Sequence, residues 1–462
     1  MSDKKNNKAQ IGYQITEIGV FPEDWSIQQL IDITGNDGLV RGPFGGALKK
    51  DSFVKKGHKV YEQRNAIYSS VDIGRYYIND DKFRALSRFS VNPGEFIVSC
   101  SGTIGKIYQI PENAPKGIIN QALLKIKLNN SIEPRYFYQV FNSDSFQERI
   151  TDSTQGGAMK NLIGMSEFKK SIIPLPSLLE QTAIATALSD IDNLIQSLER
   201  LISKKEAIKT ASMQQLLTGK TRLPEFAIRN DGSVKGFKQT DLGQIPEDWE
   251  LLSVRETCDL LTGFPFPSFK YQESGIKLLR GSNVKRGNTD WSDNITKFWA
   301  ESTNGIEQYL LQKADIVISM DGSLVGRSFA QLSDSDLPAL LLQRVARLRA
   351  KLISQNYLKE WICSPIFSDY CDSVKTVTAI PHISPADILN FRLFTPQSKK
   401  EQIAIATILS DMDAEIQALH TRLTKTQDIK QGMMQQLLTG KVRLVSPFNE
   451  KNNYVPADKG NH

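Results

Sequence analysis

Two stretches of this chain carry the same stripe. Apolar side chains recur at Ile184, Leu188, Ile191, Ile195, Leu198 and Ile202, spaced 4-3-4-3-4, and again at Ile405, Leu409, Met412, Ile416, Leu419 and Leu423. That spacing puts them on one face of an α-helix. A stripe so narrow cannot, alone in water, offset the entropy of ordering its helix, so each seam calls for a partner helix. Lys209 and Lys430 break the pattern at matching places, where the seam is expected to loosen. Pro174 and Pro176 before the first stripe, and Pro396 before the second, end any upstream strand. Gly219 and Gly440 stand where a helix C-terminus favours a left-handed residue, with Lys220 and Lys441 beside the negative end of the dipole. Each helix is expected to run about 40 residues, on the order of 60 Å.

The two helices are copies. Residues 180–223 return at 401–444, displaced by 221 positions without a gap, and 26 of the 44 aligned positions are identical. A shorter echo precedes them: Ile18-Gly-Val-Phe-Pro-Glu-Asp-Trp25 answers Leu242-Gly-Gln-Ile-Pro-Glu-Asp-Trp249. The boundaries that follow are a polar N-terminal segment 1–17, a first body 18–176, a first helix 177–222, a connector 223–241, a second body 242–396, a second helix 397–444 and a flexible tail 445–462. The bodies read as short strands broken by Gly and Pro turns. Glu95–Ser99 and Asp315–Ser319 are buried-strand candidates, Leu123–Leu128 and Val345–Arg349 alternate like half-buried strands, and Arg135–Arg149 and Tyr357–Tyr370 look like amphipathic helices. The expected fold is therefore two mixed α/β bodies joined by two long helices. The simplest closure is an antiparallel helix pair, pseudo-two-fold symmetric with one body at each end; the connector is also long enough for a parallel pair.

Composition narrows the class. Of 462 residues, 40% are hydrophobic and 23% charged, as in an ordinary globular protein. No window approaches a membrane span, and the start lacks the apolar core of a signal peptide, so a cytoplasmic location is expected. Cys100, Cys258, Cys363 and Cys371 show no C-x-x-C spacing, and with only four histidines they give no zinc pattern. A net charge of +6 permits a polyanionic partner without demanding one. Local clusters are more suggestive: Lys49-Lys50 with Lys55-Lys56, Arg280 with Lys285-Arg286, and Arg344, Arg347, Arg349 and Lys351.

No catalytic constellation emerges. Gly219-Lys220-Thr221 looks like the tail of a phosphate-binding loop, but the glycine required five places earlier is Gln214, and the second copy loses the hydroxyl. A helix C-cap accounts for both copies better. No Asn-Pro-Pro-aromatic or Asp-Pro-Pro-aromatic run exists to grip a flipped base, and no Gly-x-Gly-x-x-Gly follows a strand. What remains is recognition. Gln63-Arg64-Asn65 and Arg280-Gly-Ser282-Asn283 follow strands at matching places; arginine forks onto guanine, and Asn or Gln onto adenine, in a major groove. The competing account makes the asparagines local turn-formers. The turns holding Thr103 and Lys106, and Ser323 and Arg327, could aim backbone N–H groups and a cation at phosphate, or be simple tight turns.

With these residues in view the chain resembles the specificity (S) subunits of type I restriction–modification enzymes. The resemblance rests on the Pro-Glu-Asp-Trp openings, Ser101-Gly-Thr-Ile-Gly-Lys106, the Pro174-Leu-Pro176 exit, the Glu-Gln-x-Ala-Ile-Ala helix starts and the Gln-Leu-Leu-Thr-Gly-Lys ends. It implies two target recognition domains that each read half of a bipartite site in double-stranded DNA. It further implies conserved helices packed as an antiparallel coiled coil that sets the half-site spacing, two docked methyltransferase (M) subunits, and restriction (R) subunits in the full complex. S-adenosylmethionine, ATP and Mg would serve those partners, with no cofactor on this chain. The loops before each exit, with Lys160 and Asn161 in one body and His382 in the other, would face DNA. The second body departs from the pattern: its Gly element, Asp321–Arg327, has one extra residue and its exit one proline.

Overall fold

The computed structural model describes residues 12–35, 37–152, 161–377 and 379–445. The chain divides into two compact units, Met1–Leu198 with Arg422–His462 (unit 1) and Glu199–Thr421 (unit 2). The repeated segments form helices α1 (Leu178–Leu217) and α2 (Lys399–Leu437), 40 and 39 residues long. The units therefore do not follow the linear boundaries expected from the sequence. Each takes the start of one long helix and the end of the other.

Inside unit 1, Lys430 Nζ lies 2.6 Å from Asp192, and Arg443 reaches Glu180 at 2.6 Å. Inside unit 2, Lys205 lies 2.7 Å from Glu415, Lys209 pairs with Asp413, and Arg222 reaches Glu401 at 2.8 Å. Residue numbers rise along one helix as they fall along the other, so the packing is antiparallel in both units. All twelve stripe residues face inward: Ile184, Leu188, Leu198, Ile202, Ile405 and Leu409 are buried, and the other six are half-buried. Lys209 and Lys430 do not merely interrupt the stripe. Each meets the aspartate that the repeat places opposite it.

A hairpin leads into the body of each unit, Tyr13–Thr16 with Gly19–Pro22 in unit 1 and Phe237–Thr240 with Gly243–Pro246 in unit 2. The first hairpin strand in each case lies in what the sequence suggested was polar tail or connector. An antiparallel sheet follows, in the order Leu39–Arg41, Leu123–Ile126, Phe96–Ser99, Ile107–Gln109. Its counterpart in unit 2 is Cys258–Thr262, Val345–Ala350, Ile316–Ser319, Phe329–Gln331. A second sheet in each unit contains one parallel pair, His58–Tyr61 with Gly117–Ile119 and Ile276–Leu279 with Ala339–Leu341.

Two expectations about the bodies are corrected. Arg135–Arg149 is two helices, Pro134–Phe141 and Asp144–Ile150, and Tyr357–Tyr370 is likewise split into Gln355–Ile362 and Pro365–Val374. Pro365 has no N–H to continue the first helix, and Ser364 caps the second by accepting from the Phe367 N–H. The alternating strands are also drier than expected, since Lys125 and Arg347 are 8% and 4% exposed, while Lys127 and Arg349 nearer their ends reach solvent. Lys125 donates to the Arg88 and Ser90 carbonyls, and Arg347 pairs with Asp259, so their charges are satisfied beneath covering structure.

The repeated helix ends explain themselves in the cores. Ile184, Ala185 and Leu188 join Met434, Leu437 and Leu438 in the unit 1 core; Ile405, Ala406 and Leu409 join Met213, Leu216 and Leu217 in that of unit 2. Gly440 (φ +67°) caps α2 against Pro22 and Trp25, and Gly219 (φ +68°) caps α1 against Pro246 and Trp249. A β-carbon at either position would come within 2.5 Å of proline ring carbon. The Glu-Gln helix start is equally committed. Gln181 and Gln402 each accept a body backbone N–H and donate to the carbonyl of the exit proline, Pro176 or Pro396.

Candidate nucleic-acid interface

In unit 1 the strand His58–Tyr61 runs into the short helix Gln63–Ile67, packed beside the strand Phe96–Ser99. The Gly-rich turn that leaves that strand comes back over the helix start, so a β-carbon at Gly102 would stand 3.6 Å from Gln63 Nε2. Arg64, Thr103 and Lys106 are exposed around this meeting point. Arg64 carries its guanidinium 5.9 Å from the centre of the exposed Tyr68 ring. Gly105 (φ +72°) lies against Gln147, whose amide donates to its carbonyl at 3.2 Å, and this anchors the turn. Lys49 is exposed on the loop after Leu39–Arg41. Among the described residues, Lys49, Arg64 and Lys106 have no ion-pair partner.

Asn65 does not belong with them. It is wholly buried; its Oδ1 accepts from the Glu62 N–H, and its Nδ2 donates to the Ser70 and Ile73 carbonyls. Asn283 repeats the arrangement, 0% exposed, accepting from the Arg280 N–H and donating to the Asp290 carbonyl. Both amides are consumed in closing a turn, which corrects the expectation that they read bases. Lys160 lies outside the described residues, as does the side chain of Asn161.

Unit 2 makes the same meeting with different chemistry. The turn Gly281–Asn283 sits against the end of Ile316–Ser319, where a β-carbon at Gly281 would be 2.8 Å from Ser319 Oγ. The extra residue of the Gly element is taken up as a helical turn: the Val325 N–H donates to the Gly322 carbonyl and the Ser328 N–H to that of Leu324. Ser282 and Ser323 are exposed. Lys285 and Arg286 form a tight turn bonded to Phe329, just beyond the Gly element, so they join the same edge. Arg280, by contrast, turns its guanidinium to the Ile295 carbonyl at 3.3 Å.

Carboxylates hold several cations of this edge, though the exposed Arg286 has no ion-pair partner among the described residues. Arg327 pairs with Asp372, which also takes Lys375 at 2.6 Å. The hydrogen bonds from Arg327, then from Lys375, keep the Asp372 carboxyl far below the usual range. His382 and Arg344 both bond Asp321. Partial burial pushes the Asp321 carboxyl up, but those two donors outweigh it and hold it below its ordinary value. A backbone bond from the Gly322 N–H to the Pro381 carbonyl brings Pro381 and His382 onto the Gly element. Arg344 is a contributor that the sequence showed only as part of a basic cluster. It is brought here by the turn between Ala339–Leu341 and Val345–Ala350.

Each unit thus presents one polar, partly cationic edge made of loops on a fixed frame. No group of three or more His, Cys, Asp or Glu arranged to hold a metal occurs among the described residues, and no described helix is long and apolar enough to cross a membrane. Hydrogen-bonding side chains and cations displayed on rigid turns can bind a polyanion and discriminate among its edges.

Comparison with known proteins agrees with that reading. The family described as the type I restriction modification DNA specificity domain matches twice, at residues 22–208 and 246–431. The MjaVIII type I specificity subunit of Methanocaldococcus jannaschii is 29% identical over 435 residues, covering 92% of this chain and 94% of that one. The EcoAI specificity subunit of Escherichia coli is 35% identical over 180 residues, 38% of this chain and 29% of its own. The S subunit from M. genitalium, a crystal structure, shares the fold with a TM-score of 0.54 at 16% identity, covering 89% of this chain and 96% of that chain. Two matched specificity domains, two copies of one helix and two equivalent loop edges place this chain in the family of type I restriction–modification specificity subunits.

Proposed function

We propose that this chain reads a bipartite duplex DNA site, one half with each unit, and carries no catalysis of its own. The observation that supports this best is the paired edge. The same turns recur on the same frame in both units, while the side chains they carry differ: Gln63 and Arg64 against Gly281 and Ser282, and Lys106 against Arg327. Cations there supply sequence-independent attraction to phosphate, and the turn side chains supply discrimination. The helices that both units share would dock the methyltransferase subunits and set the spacer, with restriction subunits completing the assembly. S-adenosylmethionine, ATP and Mg would act on those partners. A relative of the same fold is known from work on complex assembly and conformational transition of a type I system, which fits such a role.

Methylome sequencing of a host with and without this chain tests the proposal. A two-part motif that vanishes with the chain is expected; an unchanged methylome would refute it. Inserting one heptad at matched positions in α1 and α2 adds about 10 Å of helix, against about 3.4 Å per base-pair step. The spacer should lengthen by a few base pairs while both half-sites stay the same. A constant spacer would remove the helices from the measuring role.

A further inference from the structure

Each unit holds out a glutamine on the same turn. In unit 1 it is Gln121, between the strands Gly117–Ile119 and Leu123–Ile126; in unit 2 it is Gln343, between Ala339–Leu341 and Val345–Ala350. Four backbone hydrogen bonds clamp the first turn: Asn120 N–H to the Tyr61 carbonyl (2.9 Å), Leu123 to Asn120 (3.1 Å), Gly42 to Leu123 (2.9 Å) and Cys100 to Ala122 (2.9 Å). Every one has its counterpart in unit 2: Leu342 to Leu279 (3.1 Å), Val345 to Leu342 (3.2 Å), Gly263 to Val345 (3.1 Å) and Met320 to Arg344 (2.9 Å).

Those bonds tie the turn to three elements of the candidate interface in each unit. Tyr61 and Leu279 lead into the turns bearing Gln63–Arg64 and Arg280–Ser282, and Cys100 and Met320 lead into the Gly elements. Gly42 and Gly263 directly follow the strands Leu39–Arg41 and Cys258–Thr262 and lie so close that a β-carbon would come within 1.8 Å of the Asn120 oxygen or 2.1 Å of the Leu342 oxygen. The apex residue stands at the centre of the edge with its backbone fixed on three sides. Its neighbours are not retained, Asn120 and Ala122 in one unit facing Leu342 and Arg344 in the other, yet glutamine occupies both apices. Both glutamines are exposed, and neither side-chain carboxamide makes a hydrogen bond among the described residues, so the fold makes no use of those side chains.

We propose that Gln121 and Gln343 are base-reading side chains, one for each half-site, each with its amide aligned on an adenine edge in the major groove. The proposal rests on the DNA-reading function above. A glutamine carboxamide accepts from adenine N6 and donates to N7, a match that no other base edge offers in full. A backbone held by four bonds leaves only side-chain freedom to be lost on contact.

The test uses the full chain assembled with its methyltransferase subunits, comparing wild type, Gln121→Ala, Gln343→Ala and Gln343→Glu by methylation-site sequencing and by binding to duplexes varied one base pair at a time. Wild type should mark one bipartite motif. Each alanine variant should lose about 5- to 150-fold discrimination at a single adenine of one half-site, leaving the other half untouched. Gln343→Glu, which can only accept, should turn that position toward cytosine. Because both residues are exposed, melting temperatures should match wild type. Wild-type specificity in both alanine variants would overturn the proposal, and so would an equal loss of affinity for every sequence. If wild type itself marks no bipartite motif, the DNA-reading function fails rather than the assignment of the glutamines alone.

Discussion

Unit 1 leaves Lys49, Arg64 and Lys106 open to solvent without acidic partners among the described residues, whereas unit 2 holds Arg327, Arg344 and His382 against Asp372 and Asp321. The frames beneath are nearly interchangeable: Arg443 with Asp24 and Glu180 in one, Arg222 with Asp248 and Glu401 in the other, each beside a buried tryptophan. The difference shows where divergence is tolerated. Frame residues satisfy one another in the interior, where an unpartnered charge is costly, so they change little between copies. Edge residues answer to water or a ligand and are free to diverge. It also separates two ways of meeting an anion: Lys49, Arg64 and Lys106 of unit 1 can do so directly, as can Arg286 of unit 2, while Arg327, Arg344 and His382 must exchange a carboxylate for it.

The largest expected effect tests how alike the frames are. Arg222 is 9% exposed and Glu401 1%; removing the arginine strands a buried carboxylate with no other side-chain donor among the described residues. Burial alone would lower the Arg222 pKa, but its bonds to Glu401 and Asp248 win and raise it well above the usual value. Arg222→Ala should cost about 3–5 kcal/mol. Arg443→Ala should cost less, because Glu180 keeps the Trp25 indole N–H at 3.1 Å, whereas the Trp249 N–H has no partner. Denaturant titration of the two variants measures this, and equal losses would erase the distinction.

Next in size, Gly219→Ala and Gly440→Ala should each lose about 1–3 kcal/mol, since both force a methyl against proline at positive φ. Here the two units should agree; a difference beyond error in paired thermal melts would show that the caps are not equivalent. Smaller again, Asp321→Asn frees Arg344 and His382. Affinity for non-specific duplex should rise, and the salt dependence should steepen by about 0.9 in logarithmic slope for each cation that then meets phosphate. An unchanged slope in a salt titration would mean that those cations never reach DNA.

The smallest effect is set by pH. Asp248 is pushed up by burial but pulled further down by Arg222 and Lys235, and Asp413 is likewise held low by Lys359 and Lys209 against burial. A carboxylate depressed on folding stabilises above its unfolded pKa, about 3.9 for aspartate, and loses that contribution as pH falls through the folded value. From these two groups unit 2 should therefore gain nothing between about pH 5 and 7 and weaken below about pH 4. The gap in melting temperature between wild type and Asp248→Asn should narrow as pH falls below about 4, and a gap that stays constant or widens there would contradict the assignment.

The helices and their ends were legible because a 4-3 stripe, a capping glycine and an offset of 221 residues are local or repetitive signals. Their division between units was not, because partnership between distant helix ends leaves no mark on nearest neighbours. Lys125 and Arg347 misled because alternation normally signals solvent, whereas here a buried lysine finds carbonyls and a buried arginine finds Asp259. For Asn65 and Asn283 both base reading and turn formation are open from the sequence, because composition cannot show which amides a turn will consume. Gln121 and Gln343 escaped notice because the repeat is faint in the bodies; aligning Ile118–Leu123 with Leu340–Val345 places them together.

The exchange of helix ends has a consequence for biosynthesis. Unit 2 is one uninterrupted span, so every residue of its core has been made once translation passes Thr421. Unit 1, although its first strand is among the earliest made, waits for Met434, Leu437 and Arg443 before its interior is closed. The nascent chain must therefore shelter an incomplete first half on the ribosome while the second half matures. Truncation upstream of Met434 would expose the beginning of the protein rather than its end.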